Sequence, residues 1–578
     1  MLEQQWVVNN HHDKERVKKL AEEINVPELI AGILFNRGIT TFEEAKNFFR
    51  AENAPLNDPF LMLHMDVAVD RVIRAIRDRE SIMIYGDYDV DGTTSTSMLY
   101  LFLKEIHKGF LSYYIPDRVK EGYGLSPYGI KAAHENGVKL LIAVDCGITA
   151  ISQVALANEY GIDIIICDHH HPGDTLPSAL AILNPKQHDC HYPFKELCGV
   201  GVAFKLAQAI TEKLKLDREL LMQHLDLVAI GSAADIVPLI GENRTLVKNG
   251  LKLVSEANKV GIRQLVKNAN VFGKAVSTAQ IVFSIAPRIN AVGRLGDANR
   301  AVKLLISKDE AEAVEYASVL ESENRNRRDI NEVMFLEACE IVDEEFDFEK
   351  DKVIVVFKKG WHQGVIGIVA SKLVERYYRP AIVIAEADDK GKGSARSVEN
   401  FDVFQALKSC EDMMVGYGGH KYAAGLTIEL NKIPEFRRRL NEYAEINLPP
   451  SDLIPKIQID AEINLDQIDQ RLITLLNLFK PHGPANMRPI FLTSGVQIVG
   501  YPQLMNERHI RMKIRQNGAV LDAVGFNLAH HYNKIGVGDK LLDVVYQIDE
   551  NTWQGRTTVQ LKLRDLKVQD NGSNGKLK

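Results

Sequence analysis

Four short aliphatic runs, each leading into a carboxylate, punctuate the stretch from residue 81 to 240. Ser81-Ile82-Met83-Ile84-Tyr85 precedes Gly86-Asp87-Tyr88-Asp89-Val90-Asp91-Gly92. Leu140–Val144 precedes Asp145-Cys146-Gly147, and Ile162–Cys167 precedes Asp168-His169-His170. Leu225–Gly231 leads into Ala234-Asp235. Runs that are apolar on both faces suit strands of a parallel sheet covered on both sides. The helical patterns between them make βαβ units. At least three of the four acidic clusters follow such a strand. Parallel strands send their carboxyl ends to one edge of the sheet, where sites form. Asp and His residues far apart in sequence are thereby predicted to collect there.

The triplet Asp87, Asp89, Asp91 places three mutually repelling carboxylates within five residues, and something cationic is expected to compensate them. The DxDxDG pattern matches the opening of an EF-hand loop, but the twelfth position is Met98 rather than Glu, and a strand rather than a helix precedes it. An acidic solvated turn is the plain reading of one such motif alone. Carboxylates together with imidazole suit hard or borderline divalent ions, with Mn²⁺ or Mg²⁺ favoured where oxygen dominates. Five or more carboxylates exceed the needs of one ion. Two ions about 3.5–4 Å apart would use them, one activating a water and one stabilising a leaving oxygen in phosphoester hydrolysis. His170 could instead orient a ligand or touch phosphate.

Around this core the chain of 578 residues has room for about four domains. Residues 1–80 read as a helical segment and 81–240 as the α/β region. Residues 241–345 read as helical and end in a long charged connecting helix from Asp309 to Asp343. A second α/β region, 346–450, begins with Lys352-Val353-Ile354-Val355-Val356-Phe357. Residues 451–568 read as a linker and a small all-β barrel, and 569–578 as a disordered polar tail. The net charge is −7, which argues against a simple nucleic-acid-coating protein but not against an enzyme with local basic patches. No apolar stretch approaches the length of a membrane span. The N-terminus lacks a signal-peptide pattern. The six cysteines form no CxxC pair and read as reduced cytosolic thiols. Cys190 and Cys198 flank His188 and His191 at a spacing that fits no common zinc finger.

At these motifs the sequence resembles the DHH phosphoesterase superfamily and, within it, the RecJ-type exonucleases. Gly86–Gly92, Asp145-Cys146-Gly147, Asp168-His169-His170 and Asp235 resemble the four superfamily motifs in order. Further similarity lies in Pro116-Asp117-Arg118 through Glu121-Gly122-Tyr123-Gly124, in Asn184-Pro185-Lys186, and in Ala286-Pro287-Arg288 through Gly293-Arg294. Trp361–Gly367, Gly393-Ser394-Ala395-Arg396-Ser397 and Gly418–Gly425 resemble the accessory DHHA1 domain. Where the family usually has a Pro-Phe-Gly-x-Gly-Asn-Pro-like segment before the barrel, this chain has Pro481-His482-Gly483-Pro484-Ala485-Asn486-Met487.

The resemblance implies a parallel-sheet DHH domain and a DHHA1 α/β domain joined by a long helix, with an OB-like barrel at the C-terminal end. The two α/β domains would enclose a ring or cleft. It implies metal binding by Asp87, Asp89, Asp91, Asp145, His169 and Asp235, with His170 completing the catalytic set and two Mn²⁺ or Mg²⁺ ions as cofactors. Arg118, Arg288, Arg294, Ser394 and Arg396 would contact substrate, with Ser394 and Arg396 on the terminal 5′ phosphate. The serine hydroxyl and planar guanidinium of that last pair independently suit phosphate. The implied activity is 5′→3′ hydrolysis of single-stranded DNA to 5′-mononucleotides, in recombination and repair. A cytoplasmic monomer is expected, with single-strand-binding protein and a RecQ-type helicase as partners. The alternatives are a DHH phosphodiesterase of short oligonucleotides or cyclic dinucleotides, and a non-catalytic DNA-binding scaffold. The scaffold should have lost metal ligands, whereas this carboxylate set is complete.

Overall fold

The computed structural model describes residues 4–9, 12–118, 120–535, 540–553 and 556–569. The expected tail beyond Gln569, and Gln554 and Gly555 of the barrel, lie outside them. The chain divides into two compact units. One comprises Lys14–Asn324 with Thr474–Arg488; the other comprises the residues up to Asp13, Arg325–Ile473 and the chain from Pro489 onward.

The first unit is built on a five-stranded, wholly parallel sheet. Its strands are Ile82–Gly86, Leu111–Tyr114, Leu140–Val144, Asp163–Cys167 and Ala181–Leu183. Taken in chain order as 1 to 5, they lie 2-1-3-4-5 across the sheet. That order reverses direction between the first and third strands, which is where an open α/β sheet forms its crevice. Ile82, Ile84, Leu140 and Ile142 are fully buried in one core, and Leu141, Ala143, Ile164 and Ile166 in another on the opposite face. Alternation between two cores explains why these strands read as continuous apolar runs.

The run Leu225–Gly231 is not a strand. Leu225–Ala234 forms a helix whose residues from Leu225 to Ala233 are all buried. A helix buried on every side has no polar period, so a short apolar run cannot be told from a strand by pattern. The N-terminal segment is likewise not purely helical. After Gln5–Val8 comes a helical set that includes Lys14–Ile24, Glu28–Phe35, Phe42–Phe49 and Met65–Asp78.

The helix Glu310–Glu345 carries the chain into the second unit. There a five-stranded mixed sheet pairs Ile354–Lys358 with Ala381–Ala387 in parallel. Lys390–Arg396, Ala423–Glu429 and Met414–His420 add on antiparallel. Its helix Ile366–Tyr377 buries Val369, Ala370 and Leu373. Phe491–Met505, His509–Gln516, Ala519–Gly525, Arg556–Val568 and Leu541–Trp553 follow one another around a barrel, which closes where Leu541–Trp553 pairs with Phe491–Met505. Closure removes the exposed edges of a small sheet. The N-terminal strand Gln5–Val8 pairs in parallel with Lys456–Ile459, and Trp6 donates its indole N–H to Asp565 at 2.9 Å.

Among the described residues no helix is long and apolar enough to cross a membrane.

Candidate metal centre

The first parallel strand ends at Gly86, and the helix Val90–Ile106 starts four residues later, capped by Asp89. Asp89 accepts from Gly92 N–H at 3.0 Å. The turn is so tight that a Cβ on Gly92 would lie 2.4 Å from the Asp87 carbonyl oxygen, so only glycine fits. Asp145 follows the third strand with φ 61°, outside the region usual for L-residues. His169 follows the fourth strand. Asp235 arrives from the end of the buried helix Leu225–Ala234.

These elements bring the acidic and imidazole groups together in two sets. The ligand atoms of Asp87, Asp89 and Asp145 lie within 4.8 Å of one another, as do those of Asp91, His169 and Asp235. His169 Nε2 stands 3.2 Å from Asp145 Oδ1, 3.7 Å from Asp235 and 3.8 Å from Asp91, so the two sets adjoin. A third combination joins Asp145, His169 and His170.

The electrostatics favour a bound cation. Burial, reinforced by neighbouring carboxylates, pushes Asp87, Asp145 and Asp235 well above the usual carboxylate range. Burial and Asp89 push Asp91 up to about 6. Burial lowers His169 to about 3, which keeps its imidazole neutral with a free lone pair. Neither carboxylate oxygen of Asp87 is in a well-formed hydrogen bond although both are buried, and Asp145 Oδ1 is in the same condition. Orphaned buried oxygens with one neutral imidazole are a donor set for two oxygen-preferring divalent ions.

Several groups that orient these donors carry no signal as ligands. Gly199 and Val200, the first residues of the helix Gly199–Leu214, donate their N–H groups to Asp91 at 2.6 and 2.8 Å. A helix N-terminus is a natural seat for a carboxylate. Asp168 accepts from the backbone N–H groups of Ile148, His169 and His170 and lies 2.7 Å from His170 Nδ1. Burial opposes ionisation of Asp168, but the His170 hydrogen bond and charge outweigh it and hold the carboxyl down at about 2. Burial likewise opposes charge on His170, and Asp168 outweighs it, raising His170 above its ordinary value. Tyr123 donates to Asp145 O at 3.2 Å, and its hydroxyl lies 3.2 Å from His170 Nε2. Asn184 donates to His170 O at 2.9 Å. The charge of Lys186 bears on both His169 and Asp235. Tyr123, Asn184 and Lys186 sit in segments that stand out in sequence, but their roles become visible only through these contacts.

The expected substrate residues separate. Arg118 stacks over Tyr88 at 5.1 Å and bears electrostatically on Asp87, and Arg294 bears on Tyr88. Tyr88, Arg118, Glu121, Gly293, Asp297 and Asn299 line part of a pocket of about 320 Å³ beside the centre. Arg288 has its guanidinium on Glu321 at 2.6 Å and on the carbonyls of Ser284 and Asn268 at 2.5 and 2.9 Å, contacts that brace helices. In the second unit, Arg396 donates to Ser394 Oγ at 3.0 Å. A Cβ on Gly367, near the start of the helix Ile366–Tyr377, would meet both side chains at 3.0 Å. The pair is therefore seated at a helix N-terminus, which favours anions.

Comparison with known proteins follows the same outline. Residues 81–232 match the DHH family, N-terminal domain; residues 350–445 match the DHHA1 domain; and residues 459–565 match the RecJ OB domain. The chain is 41% identical to the single-stranded-DNA-specific exonuclease RecJ of Bacillus subtilis, over 96% of this chain and 70% of that protein. The chain belongs to the RecJ family of single-stranded-DNA-specific exonucleases. RecJ of Escherichia coli is 33% identical over 94% of this chain and 96% of its own. The crystal structure of Thermus thermophilus RecJ in complex with Mn²⁺ superposes with a TM-score of 0.84 at 29% identity, covering 98% of this chain and 80% of that one. The same RecJ in complex with Mg²⁺ gives 0.78. RecJ architecture thus accounts for the DHH domain, the DHHA1 domain, the long helix and the barrel. The donor sets described above fit the ions found in those RecJ structures.

Proposed function

We propose that this chain degrades single-stranded DNA from its 5′ end, releasing 5′-mononucleotides. The observation that carries this reading is the pair of adjoining donor sets, Asp87/Asp89/Asp145 and Asp91/His169/Asp235, in which the buried oxygens of Asp87 and Oδ1 of Asp145 are in no well-formed hydrogen bond. Two Mn²⁺ or Mg²⁺ ions bound there would supply Lewis acidity and a nucleophilic water for phosphodiester hydrolysis. The chain's own groups do the rest. Gly199 and Val200 fix Asp91, and Asp168 fixes His170. His170, whose charged form Asp168 favours, stabilises the phosphate or protonates the leaving oxygen. Arg118 and Arg294 hold the substrate strand near Tyr88. Ser394 and Arg396 take the terminal 5′ phosphate, an assignment supported by their seat at a helix N-terminus.

The setting proposed is recombinational and excision repair in the cytoplasm, by a monomer working with single-strand-binding protein and a RecQ-type helicase. The six free, buried cysteines support a reducing compartment.

The test is Mn²⁺-dependent digestion of an internally labelled, 5′-phosphorylated oligonucleotide, beside a duplex lacking a free 5′ single strand, a dinucleotide, and the Asp89→Ala variant. Stepwise release of mononucleotides from the single strand, abolished in Asp89→Ala, supports the reading. Cleavage of the dinucleotide alone moves the chain to small-substrate phosphodiesterases. Binding without cleavage makes it a scaffold.

A further inference from the structure

The residue after Asp235 is at odds with its own conformation. Asp235 closes the helix Leu225–Ala234, and Ile236 follows with φ 60°. Helices often end in this left-handed position, which glycine or asparagine usually fills because a Cβ is strained there. Among the described residues with positive φ, Ile236 is the only β-branched one. A β-branched side chain in that region is a true outlier.

Packing does not compensate for it. Ile236 remains 60% exposed, so the fold recovers neither the strain nor the apolar surface. A single exposed isoleucine needs no explanation on its own. One that is also strained, and adjoins a donor of the metal centre, calls for a ligand. The segment beyond it is anchored. Val237 and Leu239 are buried, and Leu239 N–H donates to Pro484 O at 2.8 Å. Strain that the surroundings over-determine is characteristic of functional sites.

The chemistry of the side chain limits what it can meet. An aliphatic group offers nothing to a phosphate. The large apolar surface that flanks each phosphate of a single strand is the face of a base, present whatever the sequence. We propose that Ile236 is a substrate-positioning contact, packing against the base next to the phosphodiester held at Asp91, His169 and Asp235. The proposal rests on the exonuclease reading above.

The experiment compares wild type, Ile236→Gly and Ile236→Val with Mn²⁺ on two 5′-phosphorylated oligonucleotides. One is ordinary; the other carries abasic sites at its first two positions. Ile236→Gly relieves the strain, so its Tm should hold or rise. On the ordinary strand its KM should rise about tenfold, the size of losing one partly buried aliphatic contact. The abasic strand should already be poor for wild type, and Ile236→Gly should lose nothing further on it. Ile236→Val keeps the branch and should stay within about twofold of wild type, since only one methylene is lost. A KM for Ile236→Gly that is unchanged, or raised equally on both strands, overturns the contact alone. A wild type inert on every oligonucleotide overturns the exonuclease reading and the contact with it.

Discussion

His170 Nδ1 lies 2.7 Å from Asp168 Oδ1, and Asp168 is itself tied to three backbone N–H groups. The first residue of the Asp-His-His signature therefore acts through the third. It fixes the ring's orientation and its charge, as carboxylates commonly do for active-site histidines. Asp168→Asn keeps the size but withdraws the charge. Activity should fall about 10–100-fold at saturating Mn²⁺, the usual range for such supporting groups. Withdrawing the charge also removes what raises His170, so the alkaline fall of the pH–rate profile should move to lower pH. A pH–rate profile of the variant reads both.

The centre's carboxylates couple stability to pH. Asp87, Asp91, Asp145 and Asp235 all have raised values in the folded chain, Asp91 at about 6. Without metal the folded state therefore holds more protons than the unfolded one, and stability falls as pH rises from about 4, the ordinary carboxylate value, through the folded values. Bound metal displaces those protons. Mn²⁺ should raise Tm more at pH 8 than at pH 5, and calorimetry at pH 6 in buffers of different ionisation enthalpy should register proton release. Equal Tm gains at both pH values would contradict the assignment.

Gly199 stands against Asp145. A Cβ there would fall 2.5 Å from Asp145 Cβ and 2.6 Å from its Oδ1. Gly199→Ala should displace that carboxylate while leaving the fold intact by circular dichroism. Misplacement of this order costs about 100-fold in catalysis. Activity and Mn²⁺ affinity should fall together.

Arg244 is buried, and among the described residues no carboxylate is hydrogen-bonded to it. It donates to the carbonyls of Phe48, Leu478, Phe479, Lys480 and Pro481, with its guanidinium 3.9 Å from the Phe48 ring centre. Burial pushes its pKa down to about 9. It ties the chain ahead of the barrel to the helices of the DHH unit. Arg244→Met strands several carbonyls at roughly 1–3 kcal/mol each, so a loss of at least about 3 kcal/mol is expected by urea denaturation. Arg244→Lys should recover little, because an ammonium has only three donors.

Ala485 stands where the family usually has glycine, and its φ is 58°. Its neighbour Asn486 holds the loop, donating to the carbonyls of Phe479 and Pro481 and accepting from Arg37. Ala485→Gly should stabilise the protein by about 1 kcal/mol through relief of the left-handed strain, partly offset by chain entropy. Thermal denaturation checks the sign.

The ligand types and their common edge were legible in the linear chain. Runs such as Leu140–Val144 are apolar throughout because both faces of the sheet are covered, and parallel strands align their ends. Barrel and connecting helix followed from alternation and charge patterning in the same local way. Local pattern failed where a segment had no period. Leu225–Ala234 is buried all round, so helix and strand looked alike. Only the tertiary structure sorted Asp87 and Asp89 with Asp145, and Asp91 with His169 and Asp235. Only it showed Arg288 paired with Glu321, and Gly199, Val200 and Asp168 holding the donors in place. The physical reason is one of range. Periodicity and residue chemistry are properties of neighbours in sequence, whereas the pairing of charges and amides is set by which helix end meets which strand end in space.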